Sequence, residues 1–225
     1  TSTPRGCACV ARPWAPVARS PLPPPPPVAV RDGWEVSARE SHAPLRLVDC
    51  TPLAKVLVRA DPSGPLASRL GVPPGRAARD RHGTLVVGAG PEEWLLLGPV
   101  GAEATLAARV RELAAAAAGG RDQLGVVSVV EPFSHGRALL RLVGTDAPRL
   151  LAKVCAVDLG AVPDGTALRT AVARLATDVV RDDLGATPSY LLHCERSSGR
   201  YLRQALLDAG REFGIEPDGF AGKEW

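Results

Sequence analysis

Several side chains that could take part in chemistry fall in one stretch, residues 188–210. His193 and Cys194 could form the base and nucleophile of a thiol enzyme, because a histidine activates a cysteine when their side chains meet. The two residues are adjacent in a predicted strand, which sends neighbouring side chains to opposite faces of a sheet. The spacing therefore argues against a catalytic couple, and Cys194 is predicted to be a small core residue.

Three other groups of polar residues are candidate sites. His135 and Arg137 lie where a loop meets a strand and could supply a general base and a carboxylate-binding cation, although a surface histidine and a partner-facing arginine are the simpler interpretation. Arg196 could clamp an anion, but pairing with a carboxylate at the sheet edge or across a subunit interface is favoured. The third group is a charged turn made of Asp178, Arg181, Asp182 and Asp183. Its spacing is too loose for a metal site, so we predict a solvated hairpin.

The remaining motifs exclude several function classes. The Gly-containing turns match neither the Gly-x-Gly-x-x-Gly dinucleotide fingerprint nor a phosphate-binding loop. Cys7 and Cys9 would be two ligands short of a zinc site. A net charge of +3 with few aromatic residues predicts neither nucleic acid nor membrane as a partner. We assign no catalytic, cofactor-binding or metal-binding residue, and five unpatterned cysteines favour a cytoplasmic protein.

Apolar periodicity predicts two units with the same order, β-α-β-β-α. The first has strand 55–60, helix 64–70, strands 84–88 and 93–98, and helix 103–118. After a bridging strand near 126–130, the second has strand 137–143, helix 145–155 capped by Thr145, one or two strands over 170–181, strand 189–195, and a helix that Ser197 and Ser198 begin and Gly210 ends in the left-handed conformation. We therefore predict a duplicated α+β fold of mostly antiparallel sheet covered by helices, with repeat one at about 45–120 and repeat two at about 125–220.

The N-terminal region differs in composition from the rest of the chain. Residues 1–33 are rich in proline, which removes amide donors and favours extended conformations. We predict an unpacked, disordered tail here and a single folded domain over residues 34–225. The alternative function for the tail is a ligand for a proline-binding module.

An ordered series of motifs resembles the gamma subunit of heterotetrameric sarcosine oxidase and, more distantly, the folate-binding domain of aminomethyltransferases such as the glycine-cleavage T-protein. The motifs are LVDCTPLAKV from Leu47, PEEWLLLGP from Pro91, HGRALLRLVG from His135, LAKVCAVDL from Leu151 and YLLHCERSSGRYL from Tyr190. The resemblance covers residues 45–220.

The resemblance implies a T-protein-like fold and a cytoplasmic, non-catalytic accessory subunit. The family's assembly oxidises sarcosine to glycine and gives hydrogen peroxide with formaldehyde or methylenetetrahydrofolate. FAD, FMN, NAD and tetrahydrofolate are expected on the partner alpha, beta and delta subunits, and none on this chain. Exposed aromatic side chains would anchor those partners, the candidates being Trp94, Tyr201 and Phe220.

Two alternatives remain open. A stand-alone folate-dependent aminomethyltransferase would bind a pterin through a buried carboxylate, for which Asp158, Asp178 and Glu195 are the candidates. Full-length members of that family carry an additional C-terminal domain, which this sequence does not show. A pure interaction module that displays its proline-rich segment is the third class.

Overall fold

Two β-sheets face each other in the computed structural model of this chain, which describes residues 16–118, 128–220 and 222. Helices cover the outer surface of each sheet, so the order of layers is helix, sheet, sheet, helix. A third, smaller sheet precedes them in the chain.

The small sheet lies in the region predicted to be a tail. It consists of β1 (Ala18–Arg19), β2 (Val28–Arg31) and β3 (Trp34–Ser37), in the order β1-β3-β2. Asp32 and Gly33 have φ values of 49° and 77° and form the two-residue turn between β2 and β3. The prediction of an unpacked tail is therefore wrong for residues 16–33, because the prolines lie between the strands rather than in them. Residues 1–15, with the Cys7–Cys9 pair, lie outside the described residues.

The first unit follows strand β4 (Leu45–Asp49). Its elements are β5 (Ala54–Arg59), α1 (Pro65–Leu70), β6 (Ala77–Arg79), β7 (Leu85–Gly90), β8 (Glu93–Gly98), α2 (Glu103–Ala118) and β9 (Val129–Pro132). These strands form the first sheet, in the order β6-β7-β8-β5-β9, and every neighbouring pair is antiparallel.

The second unit repeats this order of elements. It comprises β10 (Arg137–Gly144), α3 (Ala147–Val154), β11 (Ala167–Val172), β12 (Leu175–Arg181), β13 (Ser189–Glu195), α4 (Gly199–Gly210) and β14 (Glu216–Asp218). The second sheet has the order β11-β12-β13-β10-β4-β14, with β14 parallel to β4 and the other pairs antiparallel.

Each unit contains more strands than the predicted β-α-β-β-α pattern. In both units three strands separate the two helices, and a further strand follows the second helix. The prediction missed β6 and β14 because three residues are too few to show a period of two. The α+β class and the antiparallel character agree with the structure.

The apolar core is divided into three clusters. One lies between the first sheet and its helices α1 and α2, and one lies between the second sheet and its helices α3 and α4. The third fills the space between the sheets, where Leu95 and Leu97 of the first sheet and Leu139 and Leu191 of the second sheet are buried. Each fully buried leucine contributes about 1.5–3 kcal/mol relative to an exposed one.

The helix ends differ from their predicted form. Ser197 and Ser198 lie in a 3₁₀ turn that leads into α4, and Ser198 makes no side-chain capping bond. Gly210 has a φ of −88°, in the right-handed region, and Gly214 is the residue in the left-handed conformation. A Cβ atom on Gly210 would lie 2.6 Å from Leu150 Cδ1, so this glycine permits close packing of α4 on α3.

The N-terminal end of α3 also differs from the prediction. Asp146, rather than Thr145, occupies the N-cap position of α3, and Pro148 lies in the first turn, where its missing amide costs little. Among the residues that the structure describes, no helix is long and apolar enough to span a membrane.

Candidate functional site: a polar cluster between the sheets

The inner face of the second sheet carries a row of charged side chains. On β13 the even-numbered residues pack toward the helices, so strand alternation directs His193 between the sheets. Asp178 on β12 lies directly opposite His193, and Arg169 on β11 lies directly opposite Asp178. Because cross-strand neighbours on one face are close enough to interact, the register of three strands brings these residues together.

These side chains form a connected set that reaches the first sheet. Arg169 Nε donates to Asp178 Oδ1 at 2.5 Å, and His193 Nδ1 lies 3.4 Å from Asp178 Oδ2. Arg169 also donates to Glu93 on β8 at 2.9 Å, and Glu93 pairs with Arg59 at 3.0 Å. We call these five residues the inter-sheet cluster.

Protonation in the inter-sheet cluster follows from burial and pairing. Burial lowers the pKa of His193, against the hydrogen bond with Asp178, so the imidazole is neutral at pH 7. Burial opposes ionisation of Asp178, but hydrogen bonds from His193 and Arg169 outweigh it and lower the pKa of Asp178. The proton of the neutral imidazole lies on Nδ1, which faces the carboxylate, and leaves a lone pair on Nε2.

Three buried side-chain nitrogen atoms have no hydrogen-bond partner among the described residues. They are Nε2 of His193 in the cluster and the Nε atoms of Arg137 and Arg141 on β10. A neutral imidazole oriented by a carboxylate could accept a proton. Cys194, the adjacent thiol, packs on the opposite face of β13, and burial raises its pKa to about 11. The cluster therefore has the geometry of a hydrogen-bond acceptor rather than of a nucleophile with its base.

A second ion pair is fully buried nearby. The side chain of Arg141 on β10 is inaccessible to solvent and donates to Asp182 Oδ2 at 2.5 Å and to Ser189 Oγ at 2.7 Å. Asp182 also accepts from Arg79 of β6 at 2.9 Å. Since Arg79 belongs to the first sheet, this carboxylate links the two sheets.

Lys55 is a buried cation on β5 of the first sheet. Its Nζ donates to the carbonyl oxygens of Thr51 and Leu53 at 2.7 and 2.9 Å. Burial lowers its pKa to about 8, while the charge of Asp49 opposes that change. This ammonium group holds the carbonyls of the connection between β4 and β5, so its role is structural.

The loop-to-strand candidates have structural partners. The His135 ring stacks on Trp34 at a centroid distance of 5.0 Å, and Arg137 pairs with Glu195 at 3.1 Å. The carboxylate partner predicted for Arg196 at the sheet edge is wrong within the described residues, because its guanidinium donates to the carbonyl oxygens of Arg19 and His135. Arg196 therefore links the small sheet to the second unit, whereas the sequence prediction had left the N-terminal region unpacked.

The charged turn is not the predicted solvated hairpin. Asp178 and Asp182 are largely buried in the ion pairs described above, and Asp183 pairs with Arg181 at 3.0 Å. No group of three or more His, Cys, Asp or Glu residues within the described ranges could hold a metal ion.

The three candidate pterin carboxylates are not brought together. Asp178 faces the space between the sheets, and Glu195, at the end of β13, pairs with Arg137. Asp158 lies in the turn after α3, where its Oδ1 accepts the amides of Gly160 and Ala161.

The predicted aromatic anchors divide into two buried residues and one exposed residue. Trp94 is buried and donates from Nε1 to Val72 O at 2.7 Å, and Phe220 packs in the cluster between the sheets. Both predictions of an exposed anchor are therefore wrong, because each ring fills an apolar core. Tyr201 is 54% exposed, as predicted.

Sequence reasoning missed most of the charged residues that lie between the sheets. Arg141, Lys55, Arg169 and Glu93 were not among its candidates. A signal existed in RALLRLV and AKVLVR, where a single cation interrupts an apolar strand and must find a buried partner.

The chain matches no protein-family model, and a search of curated proteins gives no match. Among solved structures, it is similar to a chain of heterotetrameric sarcosine oxidase from Corynebacterium sp. U-96, in complex with pyrrole 2-carboxylate, with 25% identity and a TM-score of 0.60. The match covers 80% of this chain and 90% of that one. A second similar structure is glycine cleavage system aminomethyltransferase T from Bartonella henselae, with 14% identity and a TM-score of 0.63. That match covers 87% of this chain and 56% of the transferase, so the chain spans about half of its length. The protein therefore shares the fold of aminomethyltransferase T and resembles, over most of both lengths, a chain of heterotetrameric sarcosine oxidase.

Proposed function

We propose that this chain is the accessory, non-catalytic gamma-type subunit of a sarcosine oxidase complex. The observation that carries the proposal is the match to a chain of the Corynebacterium enzyme, which covers 80% of this chain and 90% of that one at 25% identity. The two chains are therefore similar in size as well as in fold. Aminomethyltransferase T is matched over only 56% of its length, which makes its activity a weaker guide.

The chemistry of the buried polar groups supports the proposal. The charged side chains between the sheets are engaged with one another, in Arg169–Asp178, Arg169–Glu93 and Arg141–Asp182. Such contacts hold two sheets in a fixed relation and leave few groups for a substrate. This arrangement suits a subunit that contributes shape and surface to an assembly.

The reaction then belongs to the whole complex. Sarcosine is oxidised to glycine while oxygen is reduced to hydrogen peroxide, and the N-methyl carbon leaves as formaldehyde or as methylenetetrahydrofolate. FAD, FMN, NAD and tetrahydrofolate lie on the alpha, beta and delta partner subunits under this proposal. The assembly is a cytoplasmic heterotetramer.

Co-purification from the native host, with the flavin absorption assigned subunit by subunit, tests the proposal. We expect this chain to elute with flavin-containing partners and to be colourless after their separation. A chain that elutes alone, binds tetrahydrofolate and transfers a one-carbon unit would contradict the assignment.

A folate-binding function is the second candidate, and one observation favours it. His193 Nε2 and Arg137 Nε are buried and have no hydrogen-bond partner among the described residues, in a protein that shares the fold of aminomethyltransferase T. Calorimetric titration with 5-formyltetrahydrofolate distinguishes the candidates. Saturable binding that His193→Leu abolishes would favour folate binding, and an absence of heat would favour the accessory subunit. Glu212→Gln, a change of an exposed side chain that pairs with Lys153 of α3, is the control.

A further inference from the structure

A small cavity lies where the N-terminal region packs on the second unit. Its walls come from β3, β4, β10 and α4, from residues 22–25 between β1 and β2, and from β14 and Phe220. Leu22 is fully buried, so the proline-rich connection closes the cavity on one side. The lining is mostly apolar but includes four polar residues, namely Ser37, Asp49, Arg203 and Asp218. Cavities that stay dry are lined by apolar residues alone, which this one is not.

Asp49 and Arg203 bring opposite charges to the cavity without a direct ion pair between them. Asp49 lies on the side of β4 that faces α4, and its carboxylate is hydrogen-bonded to Ser20 and to the Thr51 amide, the latter at 3.0 Å. Arg203, on α4, donates to Pro23 O at 2.9 Å and forms no ion pair with any carboxylate among the described residues. Burial raises the pKa of Asp49 and lowers the pKa of Arg203, although the charge of Asp49 opposes the second change. Both groups are therefore desolvated and can still make further hydrogen bonds.

Ser37 is a third polar group in the wall. The residue is 6% exposed, and its Oγ accepts the amide of Arg39 at 3.2 Å. Within the described part of the chain, the hydroxyl proton has no acceptor. A buried donor without an acceptor is unfavourable, so we expect another group to accept this proton. Asp218, the fourth polar residue, is already engaged, because it accepts the Ser41 amide at 2.9 Å and Arg46 at 3.1 Å.

The size and the charges of the cavity favour water as its occupant. The volume is about 20 Å³, which is too small for an organic molecule, whereas roughly 10–15 Å³ is enough for one water molecule. An inorganic ion of either sign would meet a like charge, because Arg203 repels cations and Asp49 repels anions. Water is neutral and both donates and accepts hydrogen bonds, so it suits both side chains.

We propose that the cavity is a hydration site in which a buried water molecule bridges Asp49 and Arg203. The water donates a hydrogen bond to the carboxylate of Asp49, accepts one from the guanidinium of Arg203 and accepts the hydroxyl proton of Ser37. About three hydrogen bonds are usual for a buried water molecule. The site joins β3 of the small sheet, β4 of the second sheet and α4, so it fixes the N-terminal region on the second unit. The inference is independent of the proposed function, because it involves no partner subunit.

A crystal structure of the full-length chain, at a resolution that shows ordered water, tests the site directly. We expect an electron-density peak within hydrogen-bonding distance of both Asp49 and Arg203. A direct ion pair between these side chains, a peak that refines as an ion, or a cavity without density would each overturn the proposal. None of these results depends on whether the chain is a sarcosine oxidase subunit.

A double-mutant cycle tests the bridge in solution. Arg203→Met removes the donor, Asp49→Ala removes the acceptor, and urea denaturation measures the equilibrium constant of unfolding. We expect Arg203→Met alone to raise this constant about tenfold, but to have an effect at least about fivefold smaller when Asp49→Ala is already present. Arg200→Met, at an exposed position of the same helix, is the matched control and should change the constant by less than about threefold. Independent effects of Asp49→Ala and Arg203→Met would contradict a shared water molecule.

Discussion

The space between the two sheets and the small N-terminal sheet differ in where they place polar and apolar side chains. Between the sheets, charged residues such as Arg141 and Asp178 are buried and paired. On the small sheet, Val28 and Val30 are exposed on a strand that pairs only with β3 within the described part of the chain. The comparison shows that charged residues capable of chemistry can serve the architecture, while large apolar side chains can remain exposed on a short strand.

Two ion pairs connect the sheets. Arg79–Asp182 and Arg169–Glu93 each join a residue of the first sheet to a residue of the second. The arginines of these pairs are partly exposed, but the carboxylates are largely buried, and a buried charge left without its partner is costly. We infer that these pairs determine how the two sheets face each other. The comparison then predicts that substitutions between the sheets change the free energy of unfolding strongly and that substitutions on β2 change it little.

Removal of Asp182 should give the largest effect. Asp182→Ala leaves the fully buried guanidinium of Arg141 without its carboxylate, and we expect a loss of about 3–5 kcal/mol in the free energy of unfolding. Urea denaturation of the isolated chain measures it. Asp208→Ala removes the partner of the exposed Arg211 and should cost at most about 1 kcal/mol. Equal losses for the two variants would contradict the special role of the inter-sheet pairs.

Lys55 should make stability depend on alkaline pH. Its pKa is about 8 in the folded chain and 10.5 in the unfolded chain, so the unfolded state binds more protons between these values. The free energy of unfolding should therefore rise between pH 8 and 10.5, by up to about 3 kcal/mol. Denaturation at several pH values compares the wild type with Lys55→Met. The same alkaline rise in both proteins would show that Lys55 is not its source.

His193 should have a smaller effect at acidic pH. Because its pKa in the folded chain is lowered from 6.5, the unfolded state binds more protons just below pH 6.5. Stability is fully present above that pH and falls as the pH drops through this window. In His193→Gln the decline should be weaker, as measured by thermal unfolding between pH 5 and 7. A steeper decline in the variant would mean that the imidazole is charged in the folded protein.

Much of the fold could be predicted from long periodic segments. The bounds of β8, α2 and β13 agree with the sequence prediction, because each has an apolar pattern long enough to define its period. The small sheet was missed although Asp32-Gly33 is a strong hairpin signal between two apolar runs. The prediction gave more weight to the neighbouring prolines than to this hairpin signal. Composition is averaged over the whole region and does not separate the residues of the turns from the residues of the strands.

The candidate site was less predictable than the fold. That His193 and Cys194 face opposite sides of the sheet follows from strand alternation alone, and the structure agrees. The partners of Arg141 and Arg169 depend on how two distant sheets meet. Sequence spacing carries no information about how the two sheets pack. The sequence therefore indicates that a buried cation needs a carboxylate, but it does not indicate which carboxylate.

The same substitution at two valines gives the smallest expected effect and the closest control. Val180→Thr places a hydroxyl group in the apolar cluster between the sheets and should cost about 1–3 kcal/mol. Val30→Thr places it on an exposed edge, so the free energy of unfolding of the isolated chain should change by less than about 0.5 kcal/mol. Parallel urea titrations measure both. If Val30→Thr proved as costly as Val180→Thr, the side chain of Val30 would be packed within the folded chain rather than exposed on β2.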